Sequence, residues 1–485
     1  MKKENDSLKG QVIFGLFWKF GERIIAQGIS FIISLVLARL LLPEEYGLIA
    51  LVLVFINIAN VLVSDGLGAS LIQKKEATRL DFSTMFYCSL FFASILYAVL
   101  FIGAPFIAKF YENRELIPVI RVLSLQVPLS AIKSIQHAYV SRNMLFKKFF
   151  WSTLGGTIIS GVIGIIMAYH GFGVWALVEQ YLVNSIIDMI VLFITVSWRP
   201  YFEFSFESAR GLLGYSWKLL AASFINTIYN ECRSLIIGKI YTEEDLAFNN
   251  KGNQFPSLII NNLNTAISSV LFPVMSKVGD DALRLKEMTR RSMKITSYVI
   301  FPLMFGLIAI ADTLIQVLLT DKWLGCVPFL QIACIYWMFQ PCLTANNQAL
   351  KAAGRSDLCL KLEVVKKTIG FILVIVTMRI SVYALAVSNA VFALISAIIN
   401  IIPTRRVIMY GYKEQIIDLL PALGISATMS VLVIFVGRIP LPTTISLVIQ
   451  LMIGIIVYIL LSKLFKIDSY LYIHDIATSF FNNKE

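Results

Sequence analysis

Polar side chains recur at helical spacing inside otherwise apolar stretches of this chain. Lys19, Arg23, Gln27, Ser30 and Ser34 follow one another every three or four residues. At 100° per residue they fall within about 80° on a helix, so they form one stripe about 22 Å long. Lys218, Asn226, Tyr229 and Arg233 form a second stripe, interrupted at Ala222. Asn250, Gln254, Ser257, Asn261, Asn264 and Ser268 form a third beside Pro256, and Gln126, Ser130, Lys133 and His137 a fourth around Pro128. Lys and Arg in such positions suit an anion such as phosphate or pyrophosphate. Asn, Gln, Ser and Tyr suit a hydroxyl-rich partner such as a sugar. Four acidic residues accompany them, Asp65, Glu179, Asp188 and Glu231, each a candidate for ion coupling or for a structural pair.

The elements that carry these stripes belong to a membrane. Hydrophobic residues make up 58% of the 485 and charged residues 15%, with a mean hydropathy of +0.76. Apolar runs of roughly 18–25 residues, each able to cross about 30 Å of hydrocarbon, recur along the chain. The expected spans are 16–41, 46–64, 84–108, 116–138, 151–169, 174–196, 213–238, 247–272, 295–319, 324–348, 364–382, 384–402, 419–437 and 442–462. The fold class is therefore an all-α polytopic membrane protein of about fourteen helices.

Within that frame each stripe has two readings. Lys19 and Arg23 are near a helix end, where long basic side chains snorkel to headgroups. Gln27, Ser30 and Ser34 are too short to do so, which favours one wall of a cavity. Arg233 lies deeper, where an isolated charge costs on the order of 3 kcal/mol unless it meets water or a partner such as Glu231. The amide stripe also fits interhelical hydrogen bonding.

Charge distribution sets the orientation. The formal net charge is +12, and with a cytoplasmic N-terminus about 28 of the 42 Lys and Arg fall in the tails and even-numbered loops. Both termini are then cytoplasmic. The basic stretches Lys277–Lys294 and Lys351–Lys367 are expected to face anionic lipid rather than nucleic acid. The six cysteines form no CxxC pair and read as apolar filler. The first apolar run lacks a cleavage site and continues into "ARLLLPEEYG", so it is expected to be a retained span. His137, His170 and His474 suggest no metal site, and no cofactor is expected. No Walker A, HExxH or GxSxG sequence occurs, and no connection exceeds about twenty residues, far short of a catalytic domain.

Repetition divides the chain. Trp18-Lys19 with Glu44-Glu45 and Trp217-Lys218 with Glu243-Glu244 match at one offset of 199 residues. Six spans in each half give both the same direction, a parallel repeat around a central cleft. The expected parts are residues 1–200 and 201–404 as two six-helix lobes, and 405–485 as two further helices and a tail.

"LARLLLPEEYGLIAL" (Leu37–Leu51), "SDGLGASLIQKKEAT" (Ser64–Thr78) and "SRNMLFKKFF" (Ser141–Phe150) resemble the polysaccharide flippases of the MOP (multidrug/oligosaccharidyl-lipid/polysaccharide) superfamily. The similarity is to the branch linked to lipopolysaccharide O-units, colanic acid and teichuronic acid. It implies two lobes around a cationic cavity and alternating-access export of a polyprenyl-(pyro)phosphate-linked oligosaccharide. It further implies a non-enzymatic, monomeric protein of the bacterial cytoplasmic membrane, working beside a polysaccharide polymerase and glycosyltransferases. Lys19, Arg23, Lys133, Lys218 and Arg233 are the basic cavity candidates, with Gln27, Asn226 and Asn261 as polar ones. "RLLLPEEYG" reads as a helix end and outer turn, with Pro43 and Gly47 as breakers and Arg39 facing Glu44 or Glu45. The rival readings are a drug antiporter of the same superfamily, which needs carboxylates in the cleft, and a membrane glycosyltransferase, which needs a catalytic loop.

Arg23→Ala and Arg233→Ala should each abolish surface polysaccharide while the protein stays in the membrane. Normal polymer in both variants would reject these two residues as cargo contacts.

Overall fold

The computed structural model describes Gly21 and residues 24–65, 67–74, 76–279 and 281–482. Lys19 and Arg23 lie outside them. Among the described residues the chain is helical, with no strand. Helix α1 is Ile24–Leu40. It is followed by α2 (Pro43–Asn60), a π-helical turn (Val61–Asp65), α3 (Leu67–Gln73), α4 (Arg79–Tyr111), α5 (Leu116–Leu123), α6 (Gln126–Arg142), α7 (Lys147–Tyr169), α8 (Val174–Thr195) and α9 (Phe206–Ile240). Then come α10 (Glu243–Ser276), α11 (Ala282–Leu319), a 3-10 segment (Asp321–Cys326), α12 (Val327–Met338), α13 (Gln340–Ala352), α14 (Ser356–Thr377), α15 (Val382–Ile408), α16 (Tyr412–Gly437), α17 (Thr443–Leu464) and α18 (Asp468–Asn482). By length and composition 11 of the described helical segments can cross a membrane. Helices α1, α9 and α14 coincide with the other expected spans. α1 is described over too short a stretch to count, α9 carries the polar residues of the second stripe, and α14 carries the charged residues Asp357, Lys361, Glu363, Lys366 and Lys367.

The chain divides into two compact units, Met1–Ala247 and Phe248–Glu485. In the first, proline shapes the helix that bears the fourth stripe. Pro128 has no N–H to donate and its ring crowds the carbonyl four residues back, and the helix is interrupted at Ser124 and Leu125, between α5 and α6. Pro43 opens α2, and Glu45 accepts the Leu42 N–H at 2.7 Å, closing the helix start. Gly47 is a correction to the sequence reading. It is not a breaker but a buried residue inside α2, where a Cβ would run into the backbone of Glu243. Helix α10 opens in the same way: Asp245 accepts the Thr242 N–H at 3.3 Å, and Thr242 Oγ1 accepts the Asp245 N–H at 3.0 Å.

Helices α7 and α8 pack along a row of small residues. Ser152, Gly156, Ser160, Gly164 and Ala168 recur every fourth position of α7 and are all buried. Without a hydrophobic drive between helices in lipid, such residues let backbones approach and gain dispersion contacts. A Cβ on Gly156 would stand 3.1 Å from the Asn184 carbonyl and 3.6 Å from the Asp188 nitrogen. This contact fixes the depth at which Asp188 sits.

The second unit corrects the expectation for the Lys277–Lys294 stretch. Much of its charge is used within the protein. Arg290 binds both oxygens of buried Asp418, at 2.6 and 2.8 Å, and Lys294 approaches the same carboxylate at 3.4 Å. Tyr410 donates to Asp418 at 2.8 Å, Lys286 pairs with Glu414 at 2.7 Å, and Arg291 lies over the ring of Tyr472 on α18. Pro341 follows the interruption at Phe339 between α12 and α13.

Gly156→Val should lower thermal stability by roughly 1–3 kcal/mol through overpacking. Gly155→Ala, beside which no atom lies within 4 Å, should leave it unchanged. Equal melting temperatures for the two variants in detergent would refute the packing role of Gly156.

Candidate functional site

The fourth stripe turns one face of α6 into the wall of a cleft. Ser130, Lys133, Ser134, His137 and Ser141 line a space of about 420 Å³, with Ser64 and Gly68 among the residues opposite. The π-helical turn before α3 brings Ser64 to this wall. Gln126, at the head of the stripe, is buried.

Lys133 Nζ lies 3.3 Å from Asp188 Oδ2 on α8, with side chains 22% and 11% exposed. His137 Nε2 lies 3.7 Å from the same oxygen. The His137 ring stacks on Phe149 of α7, with centroids 4.6 Å apart. The cation therefore faces the cleft and the carboxylate lies behind it. An ammonium has three donors, and Asp188 takes one, so two remain for a ligand oxygen. The charges of Lys133 and Asp188 offset one another. An anion entering the cleft competes with Asp188 for the ammonium and finds serine hydroxyls around it.

A second cleft of about 660 Å³ lies beside α3, lined by Ser70, Gln73, Lys74, Ser205, Glu207 and Ser208 among others. Its cation is already engaged: Lys74 binds both oxygens of Asp81, at 2.8 and 2.7 Å, and Ser208 donates to the same carboxylate. Arg142 donates to the carbonyls of Leu71, at 2.7 Å, and Lys74, at 2.5 Å, where a cation satisfies the free carbonyls and dipole of the α3 C-terminus. Ser64, Gly68 and Ser141 thus line the first cleft, and Ser70, Gln73 and Lys74 line the second.

Of the sequence candidates, Lys133 and Asp188 are brought together. Glu231 on α9 accepts from Asn57 Nδ2 of α2 at 3.0 Å, so an amide meets the carboxylate that had been matched with Arg233. Arg233 is half-buried two residues further along α9, and Lys218 and Asn226 are exposed on it. Gln27 is half-buried on α1, Asn261 is exposed on α10, and Glu179 is half-buried on α8. Asp65 lies in the backbone of the π-helical turn. Sequence reasoning placed His137 on the fourth stripe but not among the cavity candidates, and its spacing of four from Lys133 was the available signal.

The sequence matches the model of a family described as "Polysaccharide biosynthesis protein" over residues 36–328. The chain is 25% identical over 370 residues to the lipopolysaccharide biosynthesis protein WzxC of Escherichia coli (strain K12), covering 74% of each chain. It is also 25% identical over 319 residues to the succinoglycan biosynthesis transport protein ExoT of Rhizobium meliloti (strain 1021), covering 65% of this chain and 64% of that one. In fold it is similar to the lipid II flippase MurJ in an inward closed conformation, with a TM-score of 0.73 at 15% identity over 93% of this chain and 98% of that one.

Lys133→Ala leaves Asp188 buried without its ammonium and should cost roughly 3 kcal/mol. Joint replacement, Lys133→Met with Asp188→Leu, should recover most of that loss, because no charge is then stranded. Thermal unfolding in detergent checks both, and an unchanged midpoint for Lys133→Ala would show that the pair contributes nothing.

Proposed function

The chain belongs to the polysaccharide biosynthesis protein family, and from that premise we propose that it is a flippase. It carries a polyprenyl-(pyro)phosphate-linked oligosaccharide across the cytoplasmic membrane by alternating access, for surface polysaccharide assembly. The observation that carries this reading is the α6 cleft, where Lys133 and serine hydroxyls face open space inside a unit built from apolar helices. Hydroxyl and ammonium donors suit the phosphate and first sugars, while the polyprenyl tail stays in lipid at no desolvation cost. Relatives named for lipopolysaccharide biosynthesis and succinoglycan transport support the same class of cargo. Export, rather than bond-making, also accords with the short connections between helices among the described residues. Drug antiport would need carboxylates to dominate the cleft, and Asp188 is already paired with Lys133.

In this proposal fourteen spans form two parallel six-helix repeats, with α16 and α17 as additions and both termini cytoplasmic. Two local devices support the repeat. α6 and α13 each follow a proline-linked interruption, and each ends in the same turn. Leu145 N donates to Val140 at 2.9 Å around Met144 (φ 56°), and Arg355 N donates to Leu350 at 2.9 Å around Gly354 (φ 70°). The basic cavity candidates Lys218 and Arg233 lie on α9, and the sequence sets Lys19 and Arg23 in the first expected span. The remaining candidates, Gln27, Asn226, Asn261 and the carboxylates Asp65, Glu179 and Glu231, take the roles of sugar contact and ion coupling. The protein works as a monomer that hands its cargo from glycosyltransferases to a polymerase.

A strain lacking this chain should accumulate the lipid-linked oligosaccharide and lose surface polymer, and the wild-type chain should reverse both. Loss of polymer without accumulation would place the chain in glycan assembly, and unchanged polymer would overturn the transport reading.

A further inference from the structure

Helices α14 and α15 enclose a groove of about 670 Å³ whose two ends differ in chemistry. Arg355, at the start of α14, Lys361, in its second turn, and Arg406, in the last turn of α15, line one end. Leu362, Val365 and Ile402 line the other. Val365 lies ten residues beyond Arg355 and four beyond Lys361, so the apolar end begins about 6 Å, one helical turn, past the nearest charge of the rim at 1.5 Å per residue. Val365 is 46% and Ile402 44% exposed, and both continue into the outward-facing apolar side chains Ile372, Ile375 and Ile398 of the same helices.

The rim keeps positive charge in spite of its acidic neighbours. Asp357 holds Arg355 through two hydrogen bonds at 3.0 and 3.2 Å, which cancels one charge and orients the guanidinium. Glu363 is engaged by Lys366 at 2.5 Å. Lys361 and Arg406 therefore leave two net charges at the mouth of a slot whose floor is apolar and open to lipid. A soluble anion has no use for that floor, and a neutral lipid has no use for that rim. A molecule with an anionic head and hydrocarbon tails satisfies both.

We propose that this groove is a binding site for an anionic diacyl phospholipid. The phosphate sits against Lys361 and Arg406, and one acyl chain lies along Leu362, Val365 and Ile402. The site is distinct from the α6 cleft and does not depend on the transport reading. Bound there, the lipid bridges α14 and α15 at their basic end, so occupancy stiffens that helix pair.

The test uses the full chain in phosphatidylcholine nanodiscs containing phosphatidylglycerol, with retained lipid read by native mass spectrometry. Wild type should retain phosphatidylglycerol over phosphatidylcholine. Lys361→Gln with Arg406→Gln should weaken that retention roughly thirtyfold, from about 1 kcal/mol per basic side chain at a lipid surface and tenfold per 1.4 kcal/mol. Lys463→Gln with Lys466→Gln, which removes the same charge from exposed positions elsewhere on this unit, should retain the lipid as wild type does. Equal retention of the two lipids by wild type, or equal loss in both double variants, would overturn the site. Displacement by soluble glycerol phosphate would overturn the lipid as its occupant, as would displacement by a polyprenyl phosphate at lower concentration than phosphatidylglycerol.

Discussion

Hydrocarbon offers no hydrogen bonds, and every other feature of this protein follows from that. An unsatisfied peptide group costs several kcal/mol there, so each crossing must close its own backbone bonds as a helix. Side chains are sorted by the same rule. Apolar ones face outward, and each polar or charged one needs water, an ion partner or an amide. Lys133 and Asp188, Glu231 and Asn57, and Arg290 and Asp418 are three solutions to that one requirement.

The three solutions differ in what they leave free. Asp418 is closed in by Arg290, Lys294 and Tyr410, with its side chain 1% exposed, so its charge is spent on joining α11 to α16. Lys133 is held by a single carboxylate and faces an open cleft with donors to spare. A buried pair that is fully enclosed contributes structure, whereas one that keeps a solvated face can exchange partners. That distinction separates a structural anchor from a place where a phosphate can bind, and it rests on geometry rather than on residue type.

Packing supplies the precision. The small-residue row of α7 lets α8 approach until Asp188 reaches across to α6, and Phe149 of α7 supports the His137 ring from the side. Lys133 and His137 of α6 thus meet one oxygen of α8, Asp188 Oδ2, with α7 packed against both helices. Proline sets the start of α6 and so its rotation, which decides that Ser130, Lys133 and His137 face the cleft together.

Much of this was legible in the residues themselves. Hydropathy determined that the chain is a bundle of membrane-crossing helices, because burial in lipid acts on composition and length alone. Helical periodicity placed Ser130, Lys133 and His137 on one face, because 3.6 residues per turn is a local property. What periodicity cannot supply is the partner on another helix. Asp188 stood as a candidate for ion coupling or for a structural pair with no partner named, Glu231 was matched with Arg233 rather than with Asn57, and Gly47 read as a breaker. Much of the Lys277–Lys294 charge was expected at the lipid surface and is instead committed to Asp418, Glu414 and Tyr472. Which polar groups are spent on each other and which remain free depends on contacts between residues 55 to 181 positions apart, and only the tertiary structure decides those.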